Sequence, residues 1–191
     1  MNFSKNNTYI FIILVLCLFY WLINSIFVAN IDSLSMFPTL KKGNKIVTIS
    51  NVSFHIDKDD IILFKKDKNT FIKRCVALPK DSIFYFNANY YLRLSKEKRK
   101  KATKIVIPFK NLTISSDLIW LYKPIIERTE KKTLTRNKTD LFLNNNNIKE
   151  YKFSDDYYFA IGDNYANSND SRSFGPISRK SIVGKMLFKL W

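Results

Sequence analysis

The chain has a single histidine, His55, and two cysteines, Cys17 and Cys75, among 191 residues. One histidine excludes a two-histidine zinc site of the H-E-x-x-H kind. The neighbours of His55 match no nucleophile-and-base pattern, so it reads as a surface or turn residue. No metal site and no cofactor is predicted. Cys17 falls in an apolar stretch and Cys75 far from it, which leaves no plausible intramolecular disulfide. The fold must be held by burial, whatever the redox compartment. Acidic residues number half the basic ones, 16 against 32, for a net charge of +16. Lysine outnumbers arginine 25 to 7, a compositional bias rather than the Arg-rich surface that reads phosphates. No nucleic-acid partner is expected, and attraction to anionic lipid headgroups is the simpler use of the charge.

Only one long apolar run is present. Tyr9 to Ala29 is 21 residues without a charge, roughly 31 Å of helix against a hydrocarbon core of about 30 Å. Residues 1–8 read as a short tail and 9–29 as a transmembrane signal anchor. A cleaved signal peptide fits less well. The apolar region is too long, and Phe27-Val28-Ala29 puts a bulky residue where a small one is needed. Lys5 precedes the run and Lys41, Lys42 and Lys45 follow it, so charge does not fix the orientation.

Beyond the run, residues 30–191 read as one mainly β ectodomain. Short strand-like segments lie at Lys45–Ile49, Ile61–Phe64 and Phe71–Leu78, with one or two more around Asn87-Ala88-Asn89 within Ile83–Leu94. No segment after the anchor shows a convincing 3.6-residue period. Residues 93–110 carry eight basic residues against Glu97 alone. Residues 127–150 are polar and include Asn144 to Asn147. Both read as solvated loops or hairpin tips in an insertion, 82–152, that separates residues 31–81 from 153–191. The tail Leu187-Phe188-Lys189-Leu190-Trp191 fits either a core strand or a lipid-facing edge.

A serine at position 35, a few residues past an apolar run and without a histidine base, needs another base. A neutral lysine serves if burial lowers its pKa by about 3 units from about 10.4. Lys73, in the alternating segment Phe71-Ile72-Lys73-Arg74-Cys75-Val76-Ala77-Leu78-Pro79, is the natural candidate. Its strand face holds Phe71 and Cys75, with Arg74 on the other. The run from Gly162 to Gly175 is dense in Asn, Asp, Ser and Gly, a loop that hydrogen-bonds to itself. Asp170 and Arg172 within it have complementary charges that can brace it.

Ser35-Met36-x-Pro38-Thr39-Leu40 resembles the nucleophile box of type I signal peptidases. The Lys73 segment is similar to that family's Y-I-K-R-x-V-G-L-P-G-D. Residues 162–175 are similar to its G-D-N-x-x-N-S-x-D-S-R-x-x-G, and Ile182-Val183-Gly184-Lys185 to its closing strand. The boxes cover 31–81 and 158–188 in family order. The resemblance implies a signal-peptidase-like fold and a Ser–Lys serine endopeptidase that removes signal peptides. Ser35 would be the nucleophile and Lys73 the general base. Ser168 would orient the lysine, and the Ser35 N–H and Ser33 hydroxyl would form the oxyanion hole. It also implies preprotein signal peptides and membrane lipid as partners, no obligate protein partner, and a catalytic domain outside a bacterial inner or plasma membrane. Leu34 replaces a common glycine, and Asn44, Asp59, Ala77 and Lys80 stand where glycine or aspartate is usual. A processing peptidase dedicated to one secretion or conjugation substrate, and an inactive membrane-anchored binding protein, are the alternatives. A Ser–Lys self-cleaving repressor fits neither the anchor nor the third box.

Overall fold

The computed structural model describes residues 5–50, 54–137 and 140–191. The chain opens with helix α1 (Lys5–Asn24) and strand β1 (Ile26–Asn30), followed by β2 (Lys45–Ile49), β3 (Ile61–Lys66) and β4 (Asn69–Ala77). Next come β5 (Ser82–Phe86), β6 (Asn89–Tyr91), α2 (Lys96–Lys101), β7 (Thr103–Val106), β8 (Thr113–Ser115) and α3 (Ile119–Glu130). They lead to β9 (Leu134–Asn137), β10 (Asp140–Leu143), β11 (Asn146–Ile148) and β12 (Glu150–Lys152). The chain closes with β13 (Tyr157–Ile161), α4 (Ser171–Phe174), β14 (Ile177–Ser178), a 3-10 turn at Arg179–Ser181 and β15 (Ile182–Lys189). The mainly β expectation holds.

One seven-stranded antiparallel sheet, in the order β1-β2-β15-β3-β4-β13-β14, joins the segments on both sides of the insertion. The last strand returns to lie between β2 and β3. Its first half is buried at Ile182 and Gly184, while Leu187 and Phe188 near its end are exposed. β3 and β4 form a hairpin in which Ile62 pairs with Lys73 and Phe64 with Phe71. On one side, Ile62, Phe64, Cys75, Ala160, Ile177 and Ile182 pack together. Elsewhere Ile31, Met36, Leu40, Ile46, Ile61 and Leu63 form a second apolar cluster.

Two expectations change. The apolar run 9–29 is not one helix. The helix stops at Asn24, and Ile26–Asn30 pairs with β2, Phe27 opposite Thr48 and Val28 opposite Val47. Ile-Phe-Val is strand-favouring chemistry, and pairing with β2 satisfies its backbone. The part of α1 within the apolar run, Tyr9 to Asn24, is then only about 24 Å long. Among the described residues no helix is long and apolar enough to cross a membrane.

The insertion is mainly strands, with Asn144-Asn145 at a hairpin tip as expected, but it also carries helices α2 and α3 and a packed core. β5–β7 form one small sheet, β9–β11 another, and β8 pairs with β12. Their inner faces and α3 enclose a core that includes Ile83, Tyr90, Ile107, Ile125, Ile126 and Phe153, continuous with Tyr157 and Phe159 of β13. The buried face of α3, Ile119, Tyr122, Ile125 and Ile126, has helical spacing. Pro124 sits inside that helix, where it removes a backbone bond and disguises the period. Burial of the four residues overrides the penalty. Of the two basic or polar stretches, only α2 is solvated throughout, with no buried residue.

Candidate active site

Ser35 lies in the loop joining β1 to β2. Its neighbours Met36 and Leu40 are fully buried and pin the loop to the sheet. The Leu40 N–H donates to the Met36 carbonyl at 2.8 Å and the Phe37 N–H to the Leu34 carbonyl at 3.1 Å. From the opposite side Asn164 clamps the same backbone. Its N–H donates to the Ser35 carbonyl at 2.9 Å and its side-chain amide to the Leu34 carbonyl at 3.1 Å.

Lys73 projects from the middle of β4 and is 3% exposed. Its Nζ donates to Ser35 Oγ at 2.7 Å and to the Ile72 carbonyl at 2.8 Å. The nitrogen stands 5.6 Å from the centre of the Phe71 ring. Burial pushes the Lys73 ammonium down from its ordinary 10.5 to about 8, against the pull of the Asp170 carboxylate, which raises it. The mechanism is desolvation, since a charge that leaves water without a close counter-ion prefers to shed its proton. Ser33 Oγ lies 3.1 Å from Ser35 Oγ. The structure thus brings Ser33, Ser35 and Lys73 together.

The loop from Gly162 to Gly175 braces this arrangement. Asp170, 1% exposed, accepts from the Gly162 N–H at 3.0 Å and from Arg172 Nε and Nη2, each at 2.8 Å. Its carboxylate also caps α4 by accepting from the Arg172 N–H. Burial works against its charged form, yet the bonds from Arg172 and Gly162 prevail and hold it below the usual carboxylate range. Asp170 and Arg172 therefore meet as the sequence predicts. Ser168 Oγ is buried beside Asp170 and makes no hydrogen bond of ordinary geometry, to Lys73 or to any other group. The expected lysine-orienting contact is not formed in this state.

Four features were not foreseen. Arg74, on the opposite face of β4 from Lys73, makes a two-pronged ion pair with Asp163, Nε to Oδ1 at 2.9 Å and Nη2 to Oδ2 at 2.7 Å. That pair ties the lysine strand to the third box. Asn164 holds the Ser35 loop, and the Ile72 carbonyl holds the Lys73 amine. Gly162 is hemmed in: a side-chain carbon there would sit 2.2 Å from Ser168 Oγ and 2.5 Å from the Ser35 carbonyl oxygen. The dense Gly162-Asp163-Asn164 run was the signal for three of these. Cys75, on the same strand face as Lys73, is fully buried, and burial pushes its thiol up to about 12. It stays protonated and offers no competing nucleophile.

A cleft of about 500 Å³ opens in front of Ser35 and Lys73, between Ala29–Ser33 and Asn69–Lys73, with Leu63 at its base. Among the described residues no group of three or more His, Cys, Asp or Glu is placed to hold a metal ion. His55 is exposed, its Nε2 3.2 Å from Asp57, and takes no part in the site.

A buried lysine amine within hydrogen-bond reach of a serine hydroxyl is a geometry that Ser–Lys chemistry would use. The family described as "Signal peptidase, peptidase S26" matches residues 5–191. This chain belongs to the signal peptidase family. It is a peptidase, a hydrolase of the serine type. Signal peptidase IB of Staphylococcus aureus is 29% identical over 160 residues, 82% of this chain and 73% of that protein. Signal peptidase I of Bacillus caldolyticus is 27% identical over 165 residues, 84% of this chain and 77% of its own. A solved signal peptidase I from Enterococcus faecalis aligns over 69% of this chain and 97% of its own at 21% identity. Its TM-score of 0.31 is too low to carry an argument.

Proposed function

We propose that this peptidase removes N-terminal signal peptides from exported preproteins by Ser35–Lys73 chemistry at a membrane surface. The observation that carries the reading is the 2.7 Å contact between Lys73 Nζ and Ser35 Oγ inside a buried site. With Lys73 neutral, the Ser35 hydroxyl gives its proton to Nζ as Oγ attacks the scissile carbonyl. The oxyanion that forms is met by the Ser35 N–H and the Ser33 hydroxyl, each contributing about 3 kcal/mol. Collapse breaks the peptide bond, the Lys73 ammonium passes its proton to the departing amine, and an ester remains on Ser35. Lys73, neutral again, takes a proton from water, whose oxygen attacks the ester and frees Ser35. Ser168, with its buried hydroxyl unpaired, is proposed to hold the lysine once Ser35 is acylated.

Membrane attachment is part of this proposal. Tyr9 to Leu16, Phe19 and Tyr20 of α1 are exposed apolar residues, as are Ile26, Val28, Phe188 and Trp191. A water-facing band of this size is the usual mark of a partner surface or of lipid. Ser35 follows β1 by only a few residues, so the cleft would stay near the bilayer, where a signal peptide's cleavage site emerges. The catalytic domain would face the outer side.

Incubating the detergent-solubilised protein with a panel of preproteins ending in Ala-x-Ala tests the proposal. Cleavage of many after the second Ala supports a general signal peptidase. Cleavage of one alone supports the dedicated-processing alternative, to which the exposed Leu34 in the nucleophile box lends some weight. Cleavage of none sinks both.

A further inference from the structure

A second cavity, also about 500 Å³, is lined in part by Phe64 to Asp67 of the β3–β4 hairpin. That volume is within the range of ligand-binding sites, and the catalytic chemistry makes no use of it. Phe64, Tyr157, Phe174, Pro176 and Ile177 give it an apolar lining, while Lys65, Lys66, Arg128, Lys131, Lys132 and Lys180 supply six cations. Three acids also line it, and each is already engaged. Asp67 accepts from Lys66 at 3.3 Å. Glu130 accepts from Lys132 at 2.7 Å and from the Tyr157 and Tyr151 hydroxyls. Asp155 accepts from the Lys180 N–H at 2.9 Å and from the Ser178 hydroxyl. Arg128 is bound to the Ser173 carbonyl. Among the described residues, the ammonium groups of Lys65, Lys131 and Lys180 enter no ion pair and are exposed. The cavity therefore combines an apolar lining with three uncommitted positive charges.

This cavity and the catalytic cleft are neighbours along the β3–β4 hairpin. Lys65, Lys66 and Asp67 of the hairpin line the cavity, whereas Asn69, Thr70 and Phe71 line the cleft. The wall between them is aromatic. Phe71, on the cleft side, stacks on Phe64 at 5.5 Å, and Phe174, on the cavity side, meets both edge-on at about 6 Å. Phe64 and Phe71 are cross-strand partners on one face of the hairpin, so some three residues of extended chain, about 10 Å, span their rings.

We infer that the cavity is an exosite for an acidic segment of the substrate polypeptide, close to the bond that is cut. A bare inorganic anion has no use for the apolar lining, and the positive charge repels a basic segment. A short stretch with two carboxylates around an aromatic or aliphatic residue satisfies both lining and rim. The inference rests on the signal-peptidase reading, because it takes the occupant to be the chain held at Ser35.

The test compares two preproteins that differ only in carrying Glu-Phe-Glu or Gln-Phe-Gln three to five residues from the cleavage site, tried on each side. With the full-length solubilised protein, the acidic version on one side is expected to show a KM lower by roughly fivefold, with kcat unchanged. The preference should shrink as salt is raised. It should vanish in the triple variant Lys65→Gln, Lys131→Asn, Lys180→Gln, which cleaves the neutral preprotein as well as wild type does. Asparagine is chosen at 131 because Lys131 has a positive φ of 53°. Equal KM values for both preproteins on both sides, or a preference that survives the triple variant, overturns the exosite. If no preprotein is cut, the signal-peptidase reading has failed on its own. Calorimetric titration of a free Glu-Phe-Glu-Glu peptide then decides the cavity separately: binding lost in the triple variant supports it, and no binding to wild type overturns it.

Discussion

Lys73 Nζ and Ser35 Oγ are 2.7 Å apart although 38 positions separate them in the chain. Two independent constraints create that contact. Met36 and Leu40 anchor the serine loop in an apolar cluster, and the pairing of β4 with β3 and β13 fixes the lysine. The Arg74–Asp163 pair and Asn164 then lock the two to the third loop. The lysine is desolvated by the packing that positions it, so placement and activation have one cause.

The first consequence is a pH profile. As the proposed base Lys73 acts only when neutral, and burial lowers its pKa to about 8. Below that value kcat/KM should fall about tenfold per pH unit, and above it the rate should level off. At pH 7 about a tenth of the enzyme is competent. A plateau already reached at pH 6, measured on a neutral peptide substrate, would mean that Lys73 is not the base.

A lysine whose pKa is lowered by folding destabilises the fold. The unfolded chain binds the proton up to its ordinary 10.5 and the folded chain only up to about 8. Stability therefore rises with pH between those values, and the penalty, about 3 kcal/mol, is fully present below 8. Lys73→Met should be inactive yet more stable than wild type at pH 7 by about 1–3 kcal/mol, with the difference disappearing above pH 10. Chemical denaturation at the two pH values reads this directly.

Gly162→Ala tests the crowding around the site. The added carbon would press on Ser168 Oγ and, at 2.5 Å, on the Ser35 carbonyl, which is backbone and cannot swing aside. A loss of about 1–3 kcal/mol in stability is expected. With it should come a fall in kcat of about a hundredfold as Ser35 is displaced. Wild-type kcat in this variant would show that the loop yields freely.

Lys80 occupies the third position of a turn closed by the Asp81 N–H on the Leu78 carbonyl at 3.1 Å, with Pro79 second. Its φ of 76° suits glycine. The strain of about 1–2 kcal/mol exceeds glycine's entropic disadvantage of about 0.4–1 kcal/mol. Lys80→Gly should raise stability by roughly 0.5 kcal/mol and leave kcat unchanged, as a urea midpoint and a cleavage assay would register.

Much of the site was legible because its chemistry is local in sequence. Ser35 and Ser33 share one loop, Lys73 is set off by its strand alternation, and Asp170 and Arg172 are two residues apart. Contacts that depend on fold were not legible. The clamp of Asn164 on the Ser35 backbone spans more than a hundred residues, and the polar run that holds Asn164 does not name its partner. The apolar run 9–29 concealed a helix-to-strand change, because hydrophobicity alone does not separate a helix from a paired strand. In the insertion, α3 was hidden by Pro124 and by aromatic and β-branched residues that favour strands. Asp59 illustrates a third kind of difficulty. With only four glycines in the chain, its positive φ of 74° falls to a residue that tolerates the left-handed region through its short polar side chain.

The most direct test of the Ser–Lys account is cleavage of one Ala-x-Ala preprotein by wild type, Ser35→Ala and Lys73→Ala at pH 9, with folding of each checked by thermal melting. The account predicts cleavage after the second Ala by wild type and a loss of at least about a thousandfold in either variant, with both still folded. Substantial cleavage by folded Lys73→Ala would contradict it and leave the proton of Ser35 without its acceptor.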